Sequence, residues 1–311
     1  AVSKISKLAL ENTFYVFDLG NVCRRMQTWH ALLPRVKPFY AVKCNPDMGM
    51  LSTLARLGAG FDCASEVELT QVLSLGVSPD DVVYANPCKR PSDLRHMQRT
   101  HTLRTTFDSA SELVKIHKHH PGAHCLLRIR ADDPNARCKL GNKYGAEMRE
   151  VRDLLAEAQA LNLAVDGVSF HVGSGASDPQ SFLCAIYLAR EVFNIARDEL
   201  GIQTMRMVDL GGGYSGGSGD GMKALAPVAK VINEALDACF PAEASDAAGG
   251  MTRYTIIAEP GRYFAEAACS LFASVYGKRE RCFAPGGGKD GDGDGHVCKE
   301  YWLTDGLYGS M

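Results

Sequence analysis

Eight short apolar runs, separated by longer stretches with helical periodicity, constrain this chain more than any other feature. They are Phe39–Lys43, Gly60–Ala64, Val82–Asn86, Thr105–Asp108, Cys125–Arg130, Val168–Val172, Met207–Leu210 and Thr255–Glu259. Such alternation is the signature of parallel βα units, because parallel strands need a crossover long enough to hold a helix. Amphipathic stretches such as Ala146–Leu161 and Gln180–Leu200 supply the crossovers. The number and spacing of the units match a closed (β/α)8 barrel, with a doubly wound open sheet as the competitor. At 311 residues, 46% of them hydrophobic, the chain is long enough for one barrel and an appendage. Thr13–Asp18 reads as a strand before the first helix, and Ala267–Lys278 and Val297–Thr304 as strands after the last βα unit. The expected fold class is therefore α/β, a barrel over residues 19–262, with residues 1–18 and 263–311 forming an incomplete, separate β domain. Pro241–Gly250 reads as a surface loop and Gly286–Gly295 as a solvated hairpin loop.

Charge and cysteine usage narrow the function classes. The 34 Lys and Arg against 36 Asp and Glu leave a net charge of −2, so no global field draws nucleic acid or an anionic membrane, and small-molecule chemistry is the default. The 11 cysteines are dispersed, without a CxxC pair or a zinc-type spacing, which predicts reduced thiols and no metal. No signal-type leader or membrane-length apolar run is visible, and a cytoplasmic protein is expected. Ala1 is not an initiator Met, and Met311 follows a strand-like stretch, so the chain is expected to be a piece of a longer one. The tract beginning at Asp290 superficially matches a calcium loop, but Glu300 falls one position short of the bidentate ligand; an acidic turn is expected.

The ends of the strands are unusually polar. Lys43, Asp62, Asn86, Asp108, Arg128, His171, Asp209 and Glu259 each close an otherwise apolar run, at the face where barrels carry their chemistry. Burying such groups unpaired costs several kcal/mol each, so a ring of them calls for a polar ligand. In Pro38-Phe-Tyr-Ala-Val-Lys-Cys-Asn, burial is expected to lower the Lys43 amine pKa and make it a Schiff-base former; a snorkelling or ion-paired lysine is the plain alternative. His171 is followed by Val-Gly-Ser-Gly, which lets a ligand approach the backbone; its imidazole suits stacking on an aromatic ring, and Ser174 offers a hydroxyl and an amide to phosphate. The glycines after Asp209 expose amides that cradle an anion. Gly211, Gly213 and Gly216 also fit a dinucleotide fingerprint, and Gly213, Ser215 and Gly217 a nucleophile elbow, but both need a helix to start at once in a stretch too rich in glycine. In Ile256-Ile-Ala-Glu-Pro-Gly-Arg-Tyr, Glu259 can hold a proton on a ring nitrogen while Arg262 forks onto phosphate; a salt bridge closing the turn is the alternative.

Taken together, PFYAVKCN at Pro38, GFDCASEVE at Gly60, ANPCK at Ala85, TFDSASEL at Thr106, LLRI at Leu126, GVSFHVGSG at Gly167, DLGGG at Asp209, AEPGRY at Ala258 and DGLYGS at Asp305 resemble the fold type III pyridoxal-phosphate decarboxylases, of alanine racemase-like fold. The motifs span nearly the whole chain. The resemblance implies pyridoxal 5′-phosphate as cofactor, carried covalently by Lys43, with Glu259 on the pyridine nitrogen and His171 stacked on the ring. It implies that Ser174, Gly213 and Arg262 bind the phosphate and that Gly261 is a further cofactor-binding residue, with Asp62 and Arg128 at further active-site positions. It implies decarboxylation of a basic amino acid, L-ornithine to putrescine first, with lysine, arginine or diaminopimelate as alternatives. It further implies a homodimer with shared active sites, Lys143 and Tyr308 lying near its interface. The family's proton-donating Cys, its acidic substrate-side residues and its phosphate-binding Tyr match no position here, so these residues alone are expected to be inactive or severely impaired. A reading of another class is a non-catalytic homologue that binds a regulatory protein partner.

Overall fold

The computed structural model describes residues 12–131, 133, 136, 143–176, 178–242, 244–245, 251–282 and 297–306. The chain separates into two compact units, Leu19–Ala268 and the combination of Ala1–Asp18 with Cys269–Met311.

After strand β1 (Phe14–Phe17), helix α1 (Leu19–Leu32) leads into the βα repeats. These are β2 (Val36–Ala41) with α2 (Met48–Arg56), β3 (Gly60–Cys63) with α3 (Glu66–Ser74), β4 (Val82–Tyr84) with α4 (Pro91–Arg99), and β5 (Arg104–Phe107) with α5 (Ala110–His119). There follow β6 (His124–Arg128) with α6 (Met148–Ala160), β7 (Ala164–Ser169) with α7 (Gln180–Asn194), and β8 (Met207–Asp209) with α8 (Met222–Cys239). A small ribbon, β9 (Ala244–Ser245) with β10 (Met251–Thr252), precedes β11 (Thr255–Ala258) and the short α9 (Arg262–Ala265). Strands β2 to β8 and β11 close into a parallel barrel in sequence order, β11 pairing with both β8 and β2. Closure excludes the open doubly wound sheet. Of the β9–β10 ribbon, β9 lies inside the Pro241–Gly250 segment read from sequence as a loop, and β10 begins just after it.

Side chains alternate across each strand, and the barrel sorts them accordingly. Phe39, Val83, Leu126 and Met207, from alternate strands, form an apolar layer inside the barrel with Ile257 and Ala85. Stepping two residues along each strand, and across the ladder by register, brings Asp62, Thr106, Arg128, Ser169 and Asp209 onto the same inner face, above that layer. The opposite faces pack against the helices in the main core, which includes Phe61, Tyr84, Phe107, Val168 and Val208. Trp29 of α1 is fully buried there and donates from its indole to the Val36 carbonyl at 2.8 Å. Asp47 caps α2, accepting from Gly49 and Met50 at 2.9 and 3.2 Å, and so fixes where the chain turns after β2. β7 begins four residues ahead of the apolar run at Val168 because its lower end is polar: Asp166 there binds His124 at 2.7 Å.

In the other unit β1 pairs antiparallel with β12 (Cys269–Phe272), and β13 (Val275–Cys282) with β14 (Val297–Leu303). The single strand read over Ala267–Lys278 is thus two strands, broken after Phe272. Arg279 packs over the Trp302 ring at 5.0 Å and pairs with Glu300 at 2.6 Å. The Gly286–Gly295 tract, the calcium-like sequence and Tyr308 lie outside the described residues.

Candidate active site

The chain leaves β2 at Ala41 into a single 3-10 turn, Val42–Cys44, and this turn carries Lys43 over the barrel mouth. The Lys43 side chain keeps half of its surface, while Asp62, inside the barrel on β3, is fully buried. The ammonium donates to Asp62 Oδ2. Burial pulls the amine pKa down, but the charges of Asp62 and Glu259 and the hydrogen bond to Asp62 outweigh it, so the pKa stands above its usual value. This corrects the expectation from sequence that desolvation would dominate: a carboxylate one strand away cancels it.

Glu259 follows β11, and its amide donates to Gly211 O at 2.7 Å. Its carboxyl is buried against Asp209, and the two share a hydrogen bond. Burial, then the Asp209 and Asp62 charges, raise Glu259 well above the ordinary carboxylate range, while burial raises Asp209 to about 6. The pair therefore holds a proton that two exposed carboxylates would have lost. Asp209 Oδ1 accepts from the Gly211 amide at 2.9 Å, whereas Asp62 Oδ1 is buried and has no hydrogen-bond partner among the described residues. The sequence placed Asp209 among the polar strand ends without giving it a role; its register beside Ile257, two residues before Glu259, was the missed signal.

His171 lies where β7 opens into the mouth, its ring against Gly212, where an added β-carbon would come within 2.6 Å of Nε2. Nδ1 accepts from the Gly173 amide at 2.9 Å, which leaves the ring hydrogen on Nε2. Burial, then the charges of Arg128 and Lys43, lower its pKa to about 3, so the ring is neutral. Arg128 is itself buried, with the Tyr144 ring 5.1 Å from its guanidinium. Tyr144 is held by its neighbour: the Gly145 amide donates to Asp108 Oδ2 at 2.8 Å. Neither Asp108 nor Tyr144 had been assigned a role from the sequence.

Gly213, Tyr214 and Ser215 line a cavity of about 330 Å³ together with Gly175, Ala176, Arg262 and Glu266. Gly213 has φ +117, and a β-carbon there would lie 2.9 Å from Val172 and 3.0 Å from Gly173 O, so only glycine fits. Ser174, half-buried, sits in the turn between Gly173 and Gly175, both at positive φ. Gly261 packs on Cys44, leaving 2.9 Å for a β-carbon. Arg262 starts α9, half-buried and without an ion-pair partner among the described residues. The turn-closing salt bridge is not formed, since Glu259 faces Asp209 and Lys43 instead. No helix follows the glycines until Met222, as neither a dinucleotide fingerprint nor a nucleophile elbow would allow.

These residues fit a phosphorylated, nitrogen-containing ring. A buried carboxylate oxygen and a guanidinium that both lack a partner among the described residues, with a protonated carboxyl, an amine at the rim and a glycine cradle, ask for complementary groups on one ligand.

Comparison with known proteins agrees. Residues 19–266 match the family model described as pyridoxal-dependent decarboxylase, pyridoxal binding domain. The chain is 46% identical over 299 residues to the chloroplastic ornithine decarboxylase of Nicotiana glauca, covering 96% of this chain and 63% of that protein. Among solved structures it resembles the Paramecium bursaria Chlorella virus arginine decarboxylase bound to agmatine, with TM-score 0.82, 40% identity, and 90% of this chain and 72% of that one covered. It also resembles the lysine decarboxylase of Selenomonas ruminantium, with TM-score 0.80, 33% identity, and 97% and 72% covered. A buried proton-holding carboxyl pair facing a lysine across a glycine-lined mouth is thus set in a matching frame, and the chain belongs to the pyridoxal-dependent decarboxylases, with pyridoxal phosphate as the cofactor of its barrel.

Proposed function

We propose that the full protein decarboxylates a basic amino acid, L-ornithine to putrescine first, with pyridoxal phosphate held covalently by Lys43. The observation that carries this reading is the meeting of Lys43 and Asp62 with the proton-holding Asp209–Glu259 pair at one barrel mouth. Asp62 is the adjacent base to which Lys43 gives its proton on becoming a nucleophilic amine. Glu259 offers its proton to the ring nitrogen, and Asp209 behind it keeps that proton in place at neutral pH. Neutral His171 presents a flat face to the ring, fixed by the Gly173 amide. Ser174, Gly213 and Arg262 hold the phosphate and Gly261 contacts the cofactor, with Gly213 and Arg262 lining one cavity, while Arg128, packed on Tyr144, and Asp62 serve as further active-site residues. When bound, the protonated ring supplies the electron sink for the carbanion left as CO₂ departs.

Ornithine leads because the relative with 46% identity is an ornithine decarboxylase, although similar structures act on arginine and lysine. The test is product chromatography of the full-length protein with ornithine, lysine, arginine and diaminopimelate. Putrescine from ornithine at the highest kcat/KM is expected; a preference for another substrate would overturn the assignment. Turnover of none, with tight capture of a protein partner, would favour the non-catalytic regulatory reading.

The full protein is further proposed to be a homodimer with shared sites, exposed Lys143 lying near the interface as the family resemblance implies. Sedimentation of the full-length protein as a monomer at assay concentration would refute this. A cytoplasmic location is proposed from the sequence; the nine cysteines whose side chains are described are free thiols, as a reducing compartment of either kind allows, while the Nicotiana relative carries a chloroplastic label. Among the described residues no helix is long and apolar enough to cross a membrane. Microscopy of the tagged full-length protein separates the two addresses.

A further inference from the structure

Arg25, on α1, lies outside the barrel mouth and is fully buried. A guanidinium has five N–H donors, and here all are used. Nε donates to Asn21 Oδ1 at 2.8 Å; Nη1 to Gly216 O at 2.6 Å and Tyr263 O at 2.5 Å; Nη2 to Gly217 O at 3.1 Å and Gly219 O at 3.0 Å. Four of the five bonds end on main-chain carbonyls and none on a carboxylate. Buried arginines ordinarily pair with acids. One that spends its charge on carbonyls is organising backbone.

The backbone it organises belongs to both halves of the phosphate cradle. Gly216, Gly217 and Gly219 continue the glycine loop that begins at Gly211, while Tyr263 follows Arg262 directly. Nη1 alone bridges the two, binding one carbonyl from each. Asn21 donates to the Gly219 carbonyl as well, at 2.9 Å, and Glu266 on the far side takes the Gly216 amide at 3.0 Å. The second half of the loop is therefore tied down on both its carbonyls and an amide. In the first half, the amides of Gly213 and Tyr214 make no hydrogen bond to the protein among the described residues. A carbonyl and the N–H of the next residue point in opposite directions, so fixing these carbonyls toward α1 turns the amides of Gly217, Ser218 and Asp220 away from it and anchors the end of the loop whose start carries the free Gly213 and Tyr214 amides. Tyr263 completes the clamp: its ring lies 5.4 Å from the guanidinium, and its hydroxyl donates to Arg25 O at 3.1 Å.

We propose that Arg25 is a positioning residue for the cofactor phosphate, fixing the glycine loop relative to Arg262 before the phosphate arrives. This rests on the pyridoxal-phosphate reading of the site. Lysine is a poor substitute, because an ammonium has three donors and no planar fork, and would leave buried carbonyls unpaired. The role is specific to the phosphate end, since Lys43, Glu259 and His171 are set by other elements.

The experiment compares dissociation constants of pyridoxal phosphate and of unphosphorylated pyridoxal, by absorbance titration of the cofactor-stripped full-length protein, for wild type, Arg25→Lys, Arg25→Ala and Asn21→Ala. Arg25→Ala is expected to weaken pyridoxal phosphate by about tenfold or more and Arg25→Lys by several-fold, with pyridoxal changed less than about twofold and kcat at saturating cofactor largely kept. Should Arg25→Ala fail to fold, Arg25→Lys and Asn21→Ala carry the same comparison. Equal losses for both ligands, or no loss for either, overturn the proposal for Arg25. Failure of the wild type to bind pyridoxal phosphate would instead sink the underlying site assignment.

Discussion

Glu259 and Asp209 put two acids where solvent cannot separate them, and the consequence is a pH dependence of definite sign. Both carboxyls have folded-state pKa values raised above their unfolded ones, Asp209 to about 6. Their contribution to stability is full below the unfolded values and is lost as pH rises through the folded ones, at about 1.4 kcal/mol for each tenfold change in proton affinity. His171, lowered to about 3, acts oppositely: its contribution is present above the ordinary histidine value and fades as pH falls below it. Above about pH 6.5 the histidine contribution is flat, so thermal melts of cofactor-free protein from there to pH 8 isolate the carboxyl pair. Stability is expected to fall across this range in wild type and to fall less in Asp209→Asn, whose amide removes one of the like charges. An identical slope in both would show that the pair does not hold the proton assigned to it. Away from the site, Glu112 neutralises buried Lys89 at 3.0 Å and reaches Lys115 at 2.6 Å. Glu112→Ala strands the Lys89 ammonium and is expected to cost about 3–5 kcal/mol in denaturant unfolding, much of it recovered in Lys89→Met/Glu112→Leu.

The strands and helices carry the polar residues to the mouth, and small residues between them set the spacing. Gly167 on β7 faces the β8 backbone so closely that a β-carbon would lie 1.8 Å from Met207 O. Gly167→Ala must therefore push β8 aside, moving Asp209 two residues further along. A loss of about 1–3 kcal/mol or more in urea unfolding is expected, together with weaker cofactor binding; unchanged values would mean the seam is pliable. Much of this was legible in the sequence. The eight apolar runs marked the strands, and the polar residue closing each run marked the mouth, because strand alternation fixes which side chain points inward. What stayed hidden depended on pairing across the ladder. That Asp62 would meet Lys43, reversing the expected effect of burial on the amine, follows from register, which no single run encodes. The Arg25 clamp was invisible for the same reason, as its carbonyl partners lie about 190 to 240 residues away along the chain. β7 was read too short because ion pairing, not apolar alternation, builds its lower end.

At the scale of the whole molecule, the closed barrel leaves no open parallel edge and encloses its own core. A chain of residues 19–268 is accordingly expected to unfold in one cooperative transition, by matched circular dichroism and calorimetry; a non-cooperative melt would show that the barrel depends on the remaining sequence. The antiparallel pairs β1–β12 and β13–β14 are each two-stranded, a size that is marginal by itself. The chain also has just two tryptophans, and they fall in different units. Trp29 is sealed in the barrel unit, its indole 5.0 Å from the Tyr214 ring of the glycine loop and 5.4 Å from that of Tyr263 beside Arg262. Trp302 is partly exposed on β14. In a chain of these 311 residues, replacing Trp302 with phenylalanine would leave one tryptophan, packed between the glycine loop and the turn that carries Arg262, so its emission would report movement of either without any added label.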